Sequence, residues 1–302
     1  MVVEQGRKKA VSLPAELAKK IKLFEIHSKK LIHTGFAGEY RSVFRGRGME
    51  FDEVRPYTPG DDVRLIDWNV SARTGELYIK KHIEEREQTV ILVVDLSRSG
   101  YFTSVDRTKR EIAAEICCIL GFAAATNNDR VGLLLFTDQV ECYVAPERGT
   151  RHALRIVRDL MLTEPVSRRT DIASALNYLN RVLPRPAILF LVSDFLSPNF
   201  ENPLKIASRR HDIVAINLSD KREKDIPVAG MIEIEDTETG ETVMVDSSSQ
   251  DFRQIFQSTL QTQQAELAKL FGKLSIDYVS LYTDEPYEAG LRRLFAMRSS
   301  HF

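Results

Sequence analysis

A chain of 302 residues has room for one large domain or two modest ones around a real hydrophobic core, and needs no disulfide staples. Its 42 Lys and Arg stand against 43 Asp and Glu, a formal charge of -1, which excludes a generally basic nucleic-acid binder and an acidic tail protein and leaves either role to a local patch. An apolar share of 43% beside 28% charged residues excludes the disordered and low-complexity classes.

The first 50 residues carry 11 Lys or Arg and 5 Asp or Glu, and the spacing predicts a helix from Ala15 to about Ile32, entered through Pro14. From Phe36 to Gly75 the glycines and prolines at 46, 48, 56, 59 and 60 favour short strands and turns over helices, while Phe44, Phe51, Val54, Tyr57, Leu65, Ile66 and Trp68 argue against disorder. After Gly75 strands and helices alternate. Thr89–Val94 is a β-branched run with no polar interruption, as in a strand covered on both faces. A helix from Arg107 presents Ile112, Ile116, Ile119, Leu120 and Ala123 on one face and ends at Asn127, before a strand at Val131–Phe136 and its hairpin partner at Val140–Val144.

Helical spacing returns at Leu154–Leu160 and Ile172–Leu183, followed by a buried strand at Ala187–Val192, a short helix near Pro203 and a strand at Asp212–Leu218. Met231–Glu235 and Glu241–Val245 form a hairpin turning at Thr239-Gly240, expected as an edge elaboration. A long amphipathic helix from Phe252 to Leu270, a strand at Ser275–Leu281 and a helix from Glu288 close the chain. The pattern predicts an α/β protein with a doubly wound, mostly parallel sheet, strand order 3-2-1-4-5-6. An N-terminal segment (1–75) of helix, short strands and turns precedes the main domain (76–302).

The three cysteines are an odd number without zinc-ligand spacing, and Cys117 and Cys118 lie in an apolar stretch, which fits inert thiols in a reducing compartment. The apolar run Ile116–Ala125 is half a bilayer span, and the charged start MVVEQGRKKA is unlike a signal peptide, so the expectation is a cytoplasmic chain with no membrane span.

Ligands of open α/β sheets collect beyond the carboxyl ends of the strands. There the sequence places Asp95, Ser97 and Ser99 after the first buried strand, Thr170 before the helix at 172, and Asp194 after the strand at 187–192. Alternation at 95, 97 and 99 lets one turn aim three oxygens at a point, and an all-oxygen set with two carboxylates suits Mg²⁺ or Mn²⁺ over softer metals. Asp171 is expected to cap the helix at 172 and is left out of the set.

The DxSxS run, the later Thr and the later Asp resemble the metal-ion-dependent adhesion site of von Willebrand factor A domains, over residues 88–285. The resemblance implies that Ser97, Ser99 and Thr170 coordinate directly, that Asp95 and Asp194 act through water, and that a client protein's acidic side chain completes the sphere. Upstream, Arg55-Pro-Tyr57-Thr-Pro59-Gly60-Asp61-Asp62-Val-Arg64-Leu-Ile66-Asp67-Trp68-Asn-Val-Ser71-Ala72-Arg73 resembles the hallmark of the bacterial domain-of-unknown-function family fifty-eight. That resemblance implies a MoxR-type AAA+ ATPase partner and a role in protein maturation or complex assembly. Read from the residues alone, the segment is either a closed ion-pair network anchored by Trp68 or a docking face made of Arg55, Asp61, Arg64, Asp67, Trp68 and Arg73.

Enzyme readings rank lower. There is no P-loop, and Gly46-Arg-Gly48 finds Phe51 where a third Gly belongs. A haloacid-dehalogenase-type nucleophile needs an acid at the position of Ser97, and neither a nucleophile elbow nor a loop histidine supports serine hydrolysis. No catalytic residue is therefore assigned. The alternatives kept are a metal-dependent phosphoesterase and, last, nucleic-acid binding through the basic N-terminus with Arg41, Arg45 and Arg47 beside Phe44.

Overall fold

The computed structural model describes residues 14–44, 50–83, 87–101, 107–223, 226–236, 238 and 240–299. Helix α1 (Ala15–Leu31) runs through a kinked turn at Ile32–Phe36 into α2 (Ala37–Val43). Strand β1 (Glu50–Pro56), helix α3 (Trp68–Thr74) and strand β2 (Tyr78–Ile83) follow, with β1 and β2 antiparallel. Then come β3 (Thr89–Asp95), α4 (Lys109–Thr126), β4 (Arg130–Phe136), β5 (Val140–Glu147), α5 (Thr150–Leu162), α6 (Ile172–Val182), β6 (Ile188–Ser193), α7 (Glu201–Ser208) and β7 (Asp212–Ser219). The chain continues through β8 (Met231–Glu235), β9 (Thr242–Asp246), α8 (Gln250–Lys273), β10 (Asp277–Tyr282) and α9 (Tyr287–Ser299).

The main sheet has the order β10-β7-β6-β3-β4-β5, parallel except for β5. Counted along the chain and read from the β5 edge this is 3-2-1-4-5-6, as the alternation of elements implied. Strand β3 has no polar interruption because both its faces are covered. Val90, Leu92 and Val94 point into a core shared with α1, α2, α4, α5 and α9, while Ile91 and Val93 point into a second core shared with α6, α7 and α8. Residues on alternate sides of a pleat thus serve two separate helical layers.

Three expectations are corrected. First, the stretch from Phe36 onward is helical as far as Val43, and Trp68–Thr74 is helical as well. Gly35, at φ +103°, kinks the chain without ending it, and the apolar positions 36, 40, 43 and 44 keep a helical spacing that buries Phe36, Tyr40, Val43 and Phe44 in the first core. Tyr40 also donates to Asp129 Oδ2 at 3.1 Å, tying α2 to the start of β4. Second, β8 and β9 pair only with each other, so this hairpin is a separate two-stranded sheet and not an edge of the main one. Third, Trp68 is no anchor: it is 67% exposed. The first 13 residues, Arg45, Gly46, Arg47 and Gly48 lie outside the described residues.

Candidate metal centre at the strand ends

The chain leaves β3 towards β4 and β5 on one side and returns to β6 on the other, so the winding reverses between β3 and β6. Asp95 ends β3 and Asp194 follows β6, one on each side of that switch point, where an open α/β sheet leaves a crevice.

Asp95 is fixed through both oxygens. Its Oδ1 accepts from Ser97 N at 2.8 Å and its Oδ2 from Ser193 Oγ at 2.7 Å. Burial pushes its pKa up to about 7, with the negative charge of Asp194 adding to the rise against these hydrogen bonds. Ser97 and Ser99 share a hydrogen bond of 2.9 Å between their hydroxyls, so the DxSxS turn does gather its three oxygen-bearing side chains. The Asp194 loop turns through Phe195, at φ +59°, a left-handed conformation costly for a bulky side chain. Phe195 is held there by rings of Phe200 and Phe271 and by its N–H bond to Ser193 Oγ at 3.1 Å.

Thr170 lies on a loop stitched to all the others. Arg98 N donates to Arg168 O at 3.1 Å, Asp171 N to Thr137 O at 3.0 Å, and Ser197 Oγ to Thr170 O at 3.4 Å. Thr170 itself is buried, and its Oγ1 donates to Glu238 Oε1 at 2.7 Å. Asp171 caps α6 through Ser174 N, as its position before the helix implied.

Asp95, Ser99, Ser193 and Asp194 line one small cavity together with Lys109; Ser97 adjoins it through Ser99, and Thr170 is not on its wall. Sequence reasoning missed Lys109, Ser193, Glu223 and Glu238. Lys109 opens α4 almost fully buried, 3.4 Å from Asp194 Oδ2 and hydrogen-bonded to Glu223. The acid-rich turn Glu235-Asp236-Thr237-Glu238 was the available signal for Glu238, whose pKa is raised by burial and by the nearby charges of Asp194 and Asp236. Lys109 is thus shared by the carboxylates of Asp194 and Glu223, and Asp95 and Arg110 line the same cavity.

Among the described residues no three His, Cys, Asp or Glu side chains cluster in a metal-binding arrangement. A cation here would depend on the hydroxyls of Ser97, Ser99 and Thr170 beside the two aspartates. The donors fit a hard divalent ion in kind, since all are oxygens, and the ion would share the cavity with the positive charges of Lys109 and Arg110. Cys117 and Cys118 are buried in α4 away from the site, and burial pushes the Cys118 thiol up to about 12, far from thiolate chemistry.

Among the described residues the hallmark segment shows part of the expected network. Arg55 clamps Asp61 through two bonds of 2.9 and 2.8 Å, and Asp61 also accepts from Thr58 N and Oγ1. Asp62 accepts from Arg64 N, and Asp67 caps α3 through Asn69 N and Val70 N. Arg73 Nε bonds Asn69 O, and Arg64, Trp68 and Arg73 face solvent.

A doubly wound sheet of this order with a DxSxS turn at its switch point makes the molecule a von Willebrand A-like α/β domain. Residues 53–266 match the family described as "Protein of unknown function DUF58", and the chain belongs to that family. It is 30% identical to an uncharacterised protein of Mycobacterium tuberculosis, Rv1480, over 286 residues, 94% of this chain and 90% of that one. Among solved structures it is similar to the conserved hypothetical protein BatB from Bacteroides thetaiotaomicron, with a TM-score of 0.45 and 18% identity over 70% of this chain and 99% of the other. It is also similar to the SpRpn10 VWA domain, with a TM-score of 0.32 and 12% identity over 44% of this chain and 76% of that one.

Proposed function

We propose that the protein is a non-catalytic, Mg²⁺- or Mn²⁺-dependent protein-binding module that acts with a MoxR-type AAA+ ATPase in protein maturation or complex assembly. The observation that carries the metal part is the convergence of Asp95, Ser97, Ser99 and Asp194 at the switch point, with the Thr170 loop bonded against them. Ser97, Ser99 and Thr170 would supply neutral hydroxyl ligands, with Asp95 and Asp194 balancing the charge. When bound, the ion supplies an electrophilic position for a client's acidic side chain. Asp95 is held by Ser193 and Ser97 and is not presented as a nucleophile, which favours binding over hydrolysis.

The ATPase part rests on the family resemblance and on the surface of the hallmark segment. With Asp61, Asp62 and Asp67 occupied internally, the segment offers Trp68 beside exposed Arg64 and Arg73. Aromatic and Arg side chains are the types that most often dominate protein interfaces. No helix among the described residues is long and apolar enough to cross a membrane; a cytoplasmic location is part of the proposal and rests on the cysteine usage of the sequence.

The test is capture of client proteins, as distinct from the ATPase, from native cytosol with and without EDTA, alongside Mn²⁺ titration of the purified chain. Capture that needs the divalent ion and is lost in Asp194→Ala supports the reading. Equal capture in EDTA, or no Mn²⁺ binding by the intact chain, overturns it.

A further inference from the structure

We propose that Glu238 is a ligand supplied by the chain itself, occupying the place that the metal centre offers to a partner's carboxylate, so that the β8–β9 hairpin is a self-ligand which a client must displace. The inference rests on the metal reading above and specifies how that site is regulated.

The hairpin does nothing for the main sheet: its strands pair only with each other, in the register Met231–Asp246 to Glu235–Thr242. Its turn instead reaches the strand-end loops, where Glu238 Oε1 meets Thr170 Oγ1 at 2.7 Å. Among the described residues, this hydroxyl assigned to the ion is engaged by a carboxylate from a distant part of the chain, 68 positions away.

The turn presents this side chain in a fixed way. Asp236 Oδ1 accepts from Glu238 N at 2.9 Å, Asp236 O accepts from Gly240 N at 2.7 Å, and Asp236 N donates to Glu241 O at 2.8 Å. The Glu238 carboxylate is half-buried against Thr170, and Lys109 is already engaged by Asp194 and Glu223. Without a further positive charge this is an unfavourable place for an anion; beside a divalent cation it becomes a favourable one.

The hairpin is also built to leave. Met231, Val243 and Met244 are 62%, 60% and 57% exposed, so its strands bury little apolar surface against the body. Its fixed point is at the base, where Ser247 N and Oγ both bond Gly230 O at 2.8 Å and Ala229 N donates to Ser247 Oγ at 2.9 Å. Elements with few buried apolar contacts open at low free-energy cost.

The experiment is Mn²⁺ binding by the full chain, followed by electron paramagnetic resonance of the free ion, with acetate as an added carboxylate probe. Glu238→Ala is expected to weaken Mn²⁺ binding by about tenfold or more. Millimolar acetate is expected to restore much of that loss in Glu238→Ala and to leave wild type unchanged. Glu235→Ala, in the same hairpin, should match wild type, which separates ligation from general loss of negative charge. If wild type binds Mn²⁺ and loses it in Asp95→Ala, yet Glu238→Ala keeps wild-type affinity and ignores acetate, the self-ligand is overturned and the metal centre stands. If wild type binds no Mn²⁺, both fall together.

Discussion

Around Asp95 the charge of one carboxylate raises the pKa of another although backbone N–H groups bond both, whereas around Trp68 a guanidinium or backbone N–H groups hold each carboxylate and the pKa of Asp61 falls. Asp95 and Asp194 sit across the switch point, Lys109 pairs with Asp194, and burial raises the Asp95 pKa. Forty residues upstream, Arg55 holds the part-buried Asp61 carboxyl well below the usual carboxylate range, and Asp62 and Asp67 are helix-turn caps. The difference teaches what each region has left to offer. At the strand ends Asp95, opposed by burial and by the charge of Asp194, is the acid that the proposed cation would serve. Satisfied acids in the hallmark segment leave its tryptophan and arginines as the groups that a partner can use.

The largest effect should come from the core on which the first region stands. Phe190 on β6 is fully buried and packs edge-on to Phe44 from the N-terminal helices, at 5.4 Å between ring centroids. Phe190→Ala should cost about 3–5 kcal/mol in urea unfolding, the range for emptying a buried aromatic site. A loss under about 1 kcal/mol would mean that the N-terminal helices are not part of this core.

Next in size is a contrast in pH dependence, measured in EDTA so that no divalent ion contributes. The folded pKa of Asp95, about 7, lies above the ordinary 3.8, so the folded state binds more protons in that window. Stability from this group therefore falls as pH rises from about 4 to 7, and Asp95→Asn should flatten that slope. Asp61 has its pKa lowered, so its contribution is present above about pH 4 and is lost as pH falls below it; Asp61→Asn should remove that acid-side loss. Opposite slopes in the two variants uphold the comparison, and parallel ones break it. Mg²⁺ added at pH 8 should stabilise wild type and leave Asp95→Asn nearly unchanged.

Much of this was legible in the sequence, and the reasons are local. An unbroken run such as Thr89–Val94 can be satisfied only by cover on both faces, and helical spacing after each such run fixes the crossovers, so sheet order followed. Asp95, Ser97 and Ser99 were legible because a turn that short leaves little freedom in where they point. Lys109 was not, because nothing local marks a lysine at the first position of a helix as buried; only the meeting of α4 with β6 and the Glu223 loop makes it so. Glu238 was hidden for the same reason, its partner Thr170 being 68 residues away. The helix that continues to Val43 was missed because the glycines and prolines from 46 onward set the reading of the whole stretch, whereas Gly35, at a left-handed φ, kinks the chain with the apolar face maintained.

A smaller effect isolates the second region. Asp67 is buried and caps α3 through two backbone N–H groups, so Asp67→Ala should cost about 0.5–2 kcal/mol in chemical unfolding. Asp67→Ser should restore most of it, because a serine hydroxyl can also accept from those amides.

The smallest effect on stability is expected at the residue on which the second region's role turns. Trp68 is 67% exposed, so Trp68→Ala should change unfolding by no more than about 0.5 kcal/mol. If the hallmark segment docks the ATPase, the same variant should lose ATPase capture while its Mn²⁺ binding stays at the wild-type level, since Trp68 is not among the strand-end groups. Asp194→Ala should do the reverse, keeping ATPase capture and losing the ion. Loss of both functions in either variant would show that the two regions act as one surface. Retention of capture in Trp68→Ala and in Arg64→Glu would remove the hallmark segment from the interface and move the docking face elsewhere on the domain.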